Sequence, residues 1–204
     1  SAMALFAKKE CDICGGKIGL LGNRKLEDGN ICKECAGLLS PWFDERRHST
    51  LAQIKEQLQY RELNKEAVKV FTPARELGSK YGSYKVFVDE SRGQFCVARK
   101  FNKTDNPDII NMNQVRSVRV QVNESKREEF KQDSEGKNVS YNPPRYDYYY
   151  DYDLIITVNS PYFDDIKFDL SGGQVDEHNR QKRMEVENAA QTIVSYFNQA
   201  TGCA

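Results

Sequence analysis

Cys11-Asp12-Ile13-Cys14 and Cys32-Lys33-Glu34-Cys35 are the two stretches that decide how the first part of this chain folds. Seventeen residues separate the two cysteine pairs, a spacing typical of a four-cysteine zinc site. Each pair puts two thiolates on one tight turn, so a fold that joins the turns supplies four sulfur ligands to one tetrahedral ion. We therefore expect one structural zinc ion per chain, with no coordination position left for water or substrate. The expected ligands are Cys11, Cys14, Cys32 and Cys35.

Two other states of these cysteines stay open at the level of sequence. Iron accepts the same tetrahedral sulfur ligands, and the four residues could instead form two disulfides. A redox role for either pair is disfavoured because the βαβ pattern of thioredoxin-like proteins is missing around them. A unit this short buries too little apolar surface to fold alone, so metal binding would supply most of its folding free energy.

The residues between and after the cysteine pairs predict a treble-clef-like arrangement. Lys17–Leu21 and Lys25–Ile31 are predicted to form two short strands. The second cysteine pair runs directly into Ala36-Gly37-Leu38-Leu39, which favours a short helix that ends near Pro41.

A longer helix is predicted next, over about residues 49–68. Thr50 is a good N-cap and Gln53 follows three residues later, which is the pattern of a capping box. Leu51, Ile54 and Leu58 then recur at helical spacing and give one narrow apolar stripe. We interpret this helix as a linker between two domains.

The pattern changes after Gly78, where apolar residues alternate as they do in antiparallel strands. Tyr84–Asp89 and Gln94–Arg99 predict a hairpin, and further strands are expected near Val118 and Ile156. Residues 123–144 are polar and charged, so we expect a long mobile loop or a hairpin tip there.

The last predicted element is a helix over about residues 176–199. Its apolar residues recur on one face, so the helix is expected to cover the sheet. These residues are Val186, Ala190, Ile193 and Phe197. The overall expectation is an α+β protein with a cysteine domain at residues 1–48, a linker helix and connector at 49–78, and a β domain at 79–204.

Two resemblances accompany this reading of the residues. Cys11-Asp12-Ile13-Cys14-Gly15, together with Leu26 to Cys35, resembles a four-cysteine domain at the N-terminus of uncharacterised bacterial proteins. Hairpin strands closed by one C-terminal amphipathic helix resemble the pleckstrin-homology-like architecture, in which a helix covers one end of a bent sheet or barrel. Together they imply a zinc-binding domain joined to a β-rich module, and they imply no activity.

The charge balance bears on the choice of partner. Thirty basic and thirty acidic residues give a formal net charge of zero, which disfavours a dedicated nucleic-acid binder. Basic and acidic residues interleave across the cysteine domain, and no dense basic cluster suited to anionic lipid headgroups is present. Nucleic-acid binding through the cysteine domain and membrane association through the β domain are therefore the less favoured alternatives to a protein partner.

Aromatic residues mark two candidate surfaces for a protein partner. Trp42 and Phe43 follow the second cysteine pair, where they either pack on the cysteine-bearing helix or contact a partner. Five tyrosines fall between residues 146 and 152, which predicts a strand start or a recognition patch. From this run, Tyr146, Tyr148 and Tyr150 are the candidates for partner contacts.

Nothing in the sequence indicates catalysis. His48 and His178 are the only histidines, both lie in polar segments, and neither belongs to a nucleophile triad pattern. No phosphate-binding loop, dinucleotide fingerprint or open metal site is present. The first residues lack the apolar stretch of a secretion signal, and paired cysteines suit a reducing compartment, so we expect a cytoplasmic, non-catalytic binding protein.

Overall fold

Three antiparallel sheets and three α-helices build residues 8–202, which are the residues that this computed structural model describes. The predicted α+β class is confirmed. We refer to residues 8–48 as the cysteine module and to residues 71–202 as the β module. Within residues 8–202, no helix combines the length and the apolar character that crossing a membrane requires.

The cysteine module contains one small hairpin and one short helix. Strand β1 (Arg24–Lys25) pairs with β2 (Asn30–Ile31), and α1 (Lys33–Gly37) follows at once. The expected first strand is reduced to a single bridge between Glu10 and Lys17. Leu20 and Leu21 lie in an exposed turn instead, because no neighbouring strand is present to pair with them.

Helix α2 (Leu51–Val70) has the capping box that the sequence predicts. The Thr50 hydroxyl accepts a hydrogen bond from Gln53 N at 3.3 Å, and the Gln53 side chain accepts one from Thr50 N at 2.9 Å. Ile54 packs into the core of the cysteine module, whereas Val68 packs with Phe87 of the β module. The helix thus contributes to the cores of both modules.

A buried polar network also joins α2 to both modules. Arg61 Nη1 lies 2.7 Å from Asp108 Oδ1, and the Ser40 hydroxyl donates a hydrogen bond to Asp108 Oδ2 at 2.7 Å. Arg61 Nε donates to Leu38 O at 2.9 Å, and Asn64 accepts a hydrogen bond from Ile109 N at 3.0 Å. The helix predicted to be a linker is therefore fixed at both ends.

The strands of the β module form two separate sheets. Their bounds are β3 Arg75–Leu77, β4 Lys85–Asp89, β5 Gln94–Ala98, β6 Ile110–Asn111, β7 Val115–Gln132, β8 Asn138–Val158, β9 Asp165–Asp169 and β10 Val175–Asp176. The first sheet has the order β3-β4-β5-β6, and the second is centred on β8, which pairs with β7, β9 and β10. Within the described residues the strands do not close into a barrel.

Helix α3 (Arg180–Thr201) closes the β module with the face that the sequence predicts. Its four predicted core residues are all buried, and Phe197 meets Phe95 of β5 edge-to-face with ring centroids 5.0 Å apart. The Asn179 side chain accepts a hydrogen bond from Lys182 N and caps the first turn, and Gly202 ends the helix at φ 70°.

The polar segment 123–144 forms strands, with only a short turn at the tip. Strands β7 and β8 pair from Val115 opposite Val158 to Gln132 opposite Asn138. Strand β10 pairs with β8 only at Tyr149 and Tyr150. Residues 126–148 lie beyond this pairing, towards the hairpin turn, and form a two-stranded ribbon, which we call the hairpin arm. Basic side chains lie over tyrosine rings along it, with Lys126 Nζ 4.4 Å from the centroid of Tyr146.

Candidate metal centre

Four cysteine sulfurs converge in the cysteine module. The Sγ atoms of Cys11, Cys14, Cys32 and Cys35 all lie within 4.8 Å of one another. Cys11 and Cys14 belong to a turn closed by a 2.8 Å hydrogen bond from Gly15 N to Cys11 O. Cys32 is the N-cap of α1 and Cys35 lies in its first turn, so each pair is positioned by its own local backbone.

The distances between the sulfurs fit a shared metal ion. Cys14 Sγ lies 3.8 Å from Cys32 Sγ, and all four cysteines are free of disulfides. With metal–sulfur bonds of about 2.3 Å, the edge of a sulfur tetrahedron is about 3.8 Å long. The four thiols can therefore hold one ion in tetrahedral sulfur coordination.

Backbone N–H groups donate hydrogen bonds to two of the sulfurs, and only one of the two thiols, Cys11, has a lowered pKa. Cys32 N donates to Cys11 Sγ at 3.2 Å, and Cys35 N donates to Cys32 Sγ at 3.3 Å. Burial raises the pKa of Cys11, but hydrogen bonds from the backbone of Cys14, Cys32 and Ile13 outweigh it and bring the pKa to about 6. In Cys35, burial and the neighbouring thiols together raise the pKa. Metal binding must therefore displace protons, which makes binding tighter as the pH rises.

Two residues that the cysteine spacing does not reveal hold the two turns together. Asp12 Oδ2 accepts a hydrogen bond from Asn30 N at 2.7 Å, which ties the first knuckle to β2. A Cβ atom at Gly29 would lie 2.6 Å from the same oxygen, so any larger residue there would have to displace the Asp12 carboxylate from this hydrogen bond. Their roles depend on a contact between residues 18 positions apart, which no local pattern in the sequence indicates.

The candidate partner residues Trp42 and Phe43 lie where the two modules meet. Both side chains are half-buried. Trp42 packs on the core of the β module, with its ring centroid 5.7 Å from that of Tyr84, whereas Phe43 packs on the core of the cysteine module. Both also line a cleft of about 530 Å³ between the modules.

The candidate tyrosines alternate along β8 and therefore share one face of the strand. Tyr146, Tyr148 and Tyr150 are all half-buried. Arg183 of α3 lies over the ring of Tyr150 at 4.1 Å, so this tyrosine belongs to the body of the β module. Tyr146 and Tyr148 lie on the hairpin arm, where they pair with Glu128 and Lys126 of β7.

A second group of potential ligands lies near the base of the hairpin arm. The ligand atoms of Asp147, Glu177 and His178 lie within 4.8 Å of one another. His178 is exposed and its Nε2 atom lies 3.1 Å from a Glu177 oxygen. This surface group differs from the cysteine cluster, in which three of the four ligands are buried.

Comparison with known proteins identifies one part of the chain. Residues 9–57 match a family described as a domain of unknown function, DUF4428. No curated protein and no solved structure matches the chain. The matched segment contains all four cysteines and ends inside α2, so it includes the cysteine cluster together with the first two turns of that helix.

Proposed function

We propose that this chain is a non-catalytic adaptor that holds one structural zinc ion per chain and binds another protein. Four thiolates in tetrahedral arrangement support zinc in particular, because Zn²⁺ accepts this ligand set and has no redox chemistry. Four protein ligands close the coordination shell, so the ion would stabilise the fold and would not act on a substrate. Free thiols also suit a reducing compartment, which supports a cytoplasmic location for the adaptor.

The proposal assigns the β module to the pleckstrin-homology-like architecture. Two antiparallel sheets followed by one amphipathic helix support this assignment, as do the contacts of α3 with both β3 and β7. Such a module serves as a rigid platform from which loops and hairpins reach a partner.

The observation that carries the protein-binding proposal is the hairpin arm. A two-stranded ribbon is marginally stable by itself, and the arm has no core beneath it. It nevertheless presents aromatic side chains, among them Phe130, which is 53% exposed, together with Tyr141 and Tyr146. Aromatic residues are enriched in the centres of protein interfaces, so the arm has the composition of a contact surface for another protein.

Photo-crosslinking in living cells tests this function. A photoreactive amino acid placed at Phe130 is expected to give a discrete crosslink to another protein. The matched control is Leu63, an equally apolar and 72% exposed position on α2, which should give none. Crosslinks to nucleic acid or to lipid from Phe130, or no crosslink at all, would contradict the proposed function.

A further inference from the structure

A cleft of about 530 Å³ separates the cysteine module and the start of α2 from the connection between β8 and β9. Its floor is aromatic. Trp42, Phe43 and Tyr162 are half-buried in it and Phe163 is buried. Tyr162 also packs against Tyr60 of α2, with ring centroids 5.1 Å apart and ring planes tilted by 55°.

The rim of the cleft carries charge of one sign. No lysine, arginine or histidine lines it, whereas five carboxylates do: Asp44, Glu45, Glu56, Asp164 and Asp165. All five are exposed, and none forms an ion pair with a basic side chain in the described part of the chain. A cleft lined by one sign of charge concentrates ligands of the opposite sign.

We propose that this acidic cleft binds a basic segment of a partner protein, with arginine or lysine stems lying on the aromatic floor and their cations among the rim carboxylates. Long basic side chains combine an apolar stem with a charged head, which matches an aromatic floor below an acidic rim. Arginine fits best, because its planar guanidinium group stacks on aromatic rings and pairs with carboxylates.

The spread of the carboxylates favours such a segment over a bound metal ion. Within residues 8–202, the rim oxygens do not form a group close enough to ligate one ion together. Separated negative charges suit several cations spaced along a chain. The cleft also lies far from the hairpin arm, since β8 continues for ten residues from Tyr148 to Val158, about 33 Å at about 3.3 Å per residue, before the connection that lines the cleft. The two surfaces can therefore be tested independently.

Tryptophan fluorescence can follow binding in this cleft without an added label, because Trp42 is the only tryptophan of the chain. The purified full chain is titrated with a peptide of three arginines separated by glycines, and tryptophan fluorescence is recorded. We expect a saturable change that weakens as salt is added, since exposed charges are screened. The same peptide with glutamate in place of arginine should cause no change.

A double variant identifies the surface that responds. Glu56→Gln with Asp164→Asn should weaken binding of the arginine peptide by about 3- to 10-fold, because each exposed ion pair contributes modestly. The matched control is Glu62→Gln with Glu66→Gln, two exposed acids of α2 outside the cleft, which should bind as the wild type does. Thermal melts confirm that all variants are folded.

Three results would overturn the inference. The first is an absence of any fluorescence change, and the second is an unchanged affinity of the cleft variant for the peptide. The third is binding of spermidine as tight as that of the peptide, because this would indicate a non-specific acidic surface. If the peptide fails to bind while the Phe130 crosslink persists, the cleft is wrong and the adaptor function stands. If the peptide binds while the crosslink fails, the function proposed for the arm is contradicted, whereas the inference about the cleft stands.

Discussion

Arg61 and Asp108 form a buried ion pair between α2 and the β module, with their side chains 7% and 0% exposed. Burial raises the pKa of the Asp108 carboxyl above its ordinary value. Arg61 and the Ser40 hydroxyl lower the pKa, but only in part. A buried pair of this kind offsets its own desolvation only while both partners are present. The stability of the junction between the modules therefore depends on each of the two residues.

Asp108→Ala should lower the free energy of unfolding by about 3–5 kcal/mol, because it leaves the Arg61 charge buried without a partner. Urea unfolding followed by circular dichroism measures the change. Asp105→Ala is the matched control in the same loop, where the side chain is exposed, and should change stability by less than about 0.5 kcal/mol. Equal effects of the two substitutions would show that the pair does not stabilise the junction.

Asp89 is a second buried carboxylate with a different pH dependence. Burial raises its pKa, but hydrogen bonds from Thr72 N, the Ser91 hydroxyl and Arg92 N outweigh this and hold the pKa below the ordinary value of 3.8. A lowered pKa in the folded state gives stability that is present above pH 3.8 and is lost as the pH falls towards the folded pKa.

Asp89→Asn should therefore destabilise the protein most at neutral pH. The difference in unfolding free energy between variant and wild type should become smaller as the pH falls. Unfolding free energies measured between about pH 2 and pH 7 test this, since the ordinary aspartate pKa lies within that range. A difference in unfolding free energy that stays constant or increases as the pH falls would contradict the assigned role of the carboxylate.

These residues show what the sequence could and could not predict at this scale. The convergence of the four cysteines was predictable, because they come in two local pairs at a characteristic spacing. The roles of Asp108, Asp89 and Asp12 were not, because each depends on partners that the fold brings together from distant positions.

Among the elements, α3 was predictable because its apolar residues follow the helical period. Phe197 is fully buried against Phe95, whereas Met184 on the same helix is 57% exposed. Phe197→Ala should cost about 3–5 kcal/mol of unfolding free energy, from lost burial and the cavity that remains. Met184→Ala is the control and should cost less than about 1 kcal/mol in the same urea titration. Similar losses in both variants would argue against α3 as the element that closes the core.

For most of the hairpin arm the sequence left a mobile loop and a hairpin tip as alternatives, because its residues are charged and lack apolar alternation. Backbone pairing and contacts between basic side chains and tyrosine rings form it without a buried face, as in Arg145 over Tyr141 at 4.2 Å. Sequence patterns detect burial, so a ribbon that buries little leaves only a weak signal.

The arm should be dispensable for folding. Replacing residues 127–147 with Asn-Gly, which suits a two-residue hairpin turn, should change the free energy of unfolding by less than about 1 kcal/mol. Urea unfolding followed by circular dichroism measures this change. A collapse of stability would mean that the arm belongs to the folded core.

At the scale of the whole molecule, α2 joins the cysteine module to the β module. Leu38 and Ser40 follow the cysteine-bearing helix directly and bond to Arg61 and Asp108. Loss of the metal should therefore disturb the junction as well as the cysteine module. The sequence indicated two modules with a helix between them, but it could not show that this helix is fixed to both, since that depends on contacts with residues 106–109.

The central claim is that the four cysteines hold one structural zinc ion, and metal analysis of the purified chain combined with a melt under chelation tests it most directly. We predict one zinc per chain by plasma mass spectrometry, and unfolding of the cysteine module when a chelator removes it, because metal binding supplies most of its folding free energy. Cys32→Ser should lose the zinc, whereas Cys96→Ala, a buried cysteine of the β module, should keep it. Iron in place of zinc, no metal at all, or a melt that chelation leaves unchanged would contradict the account.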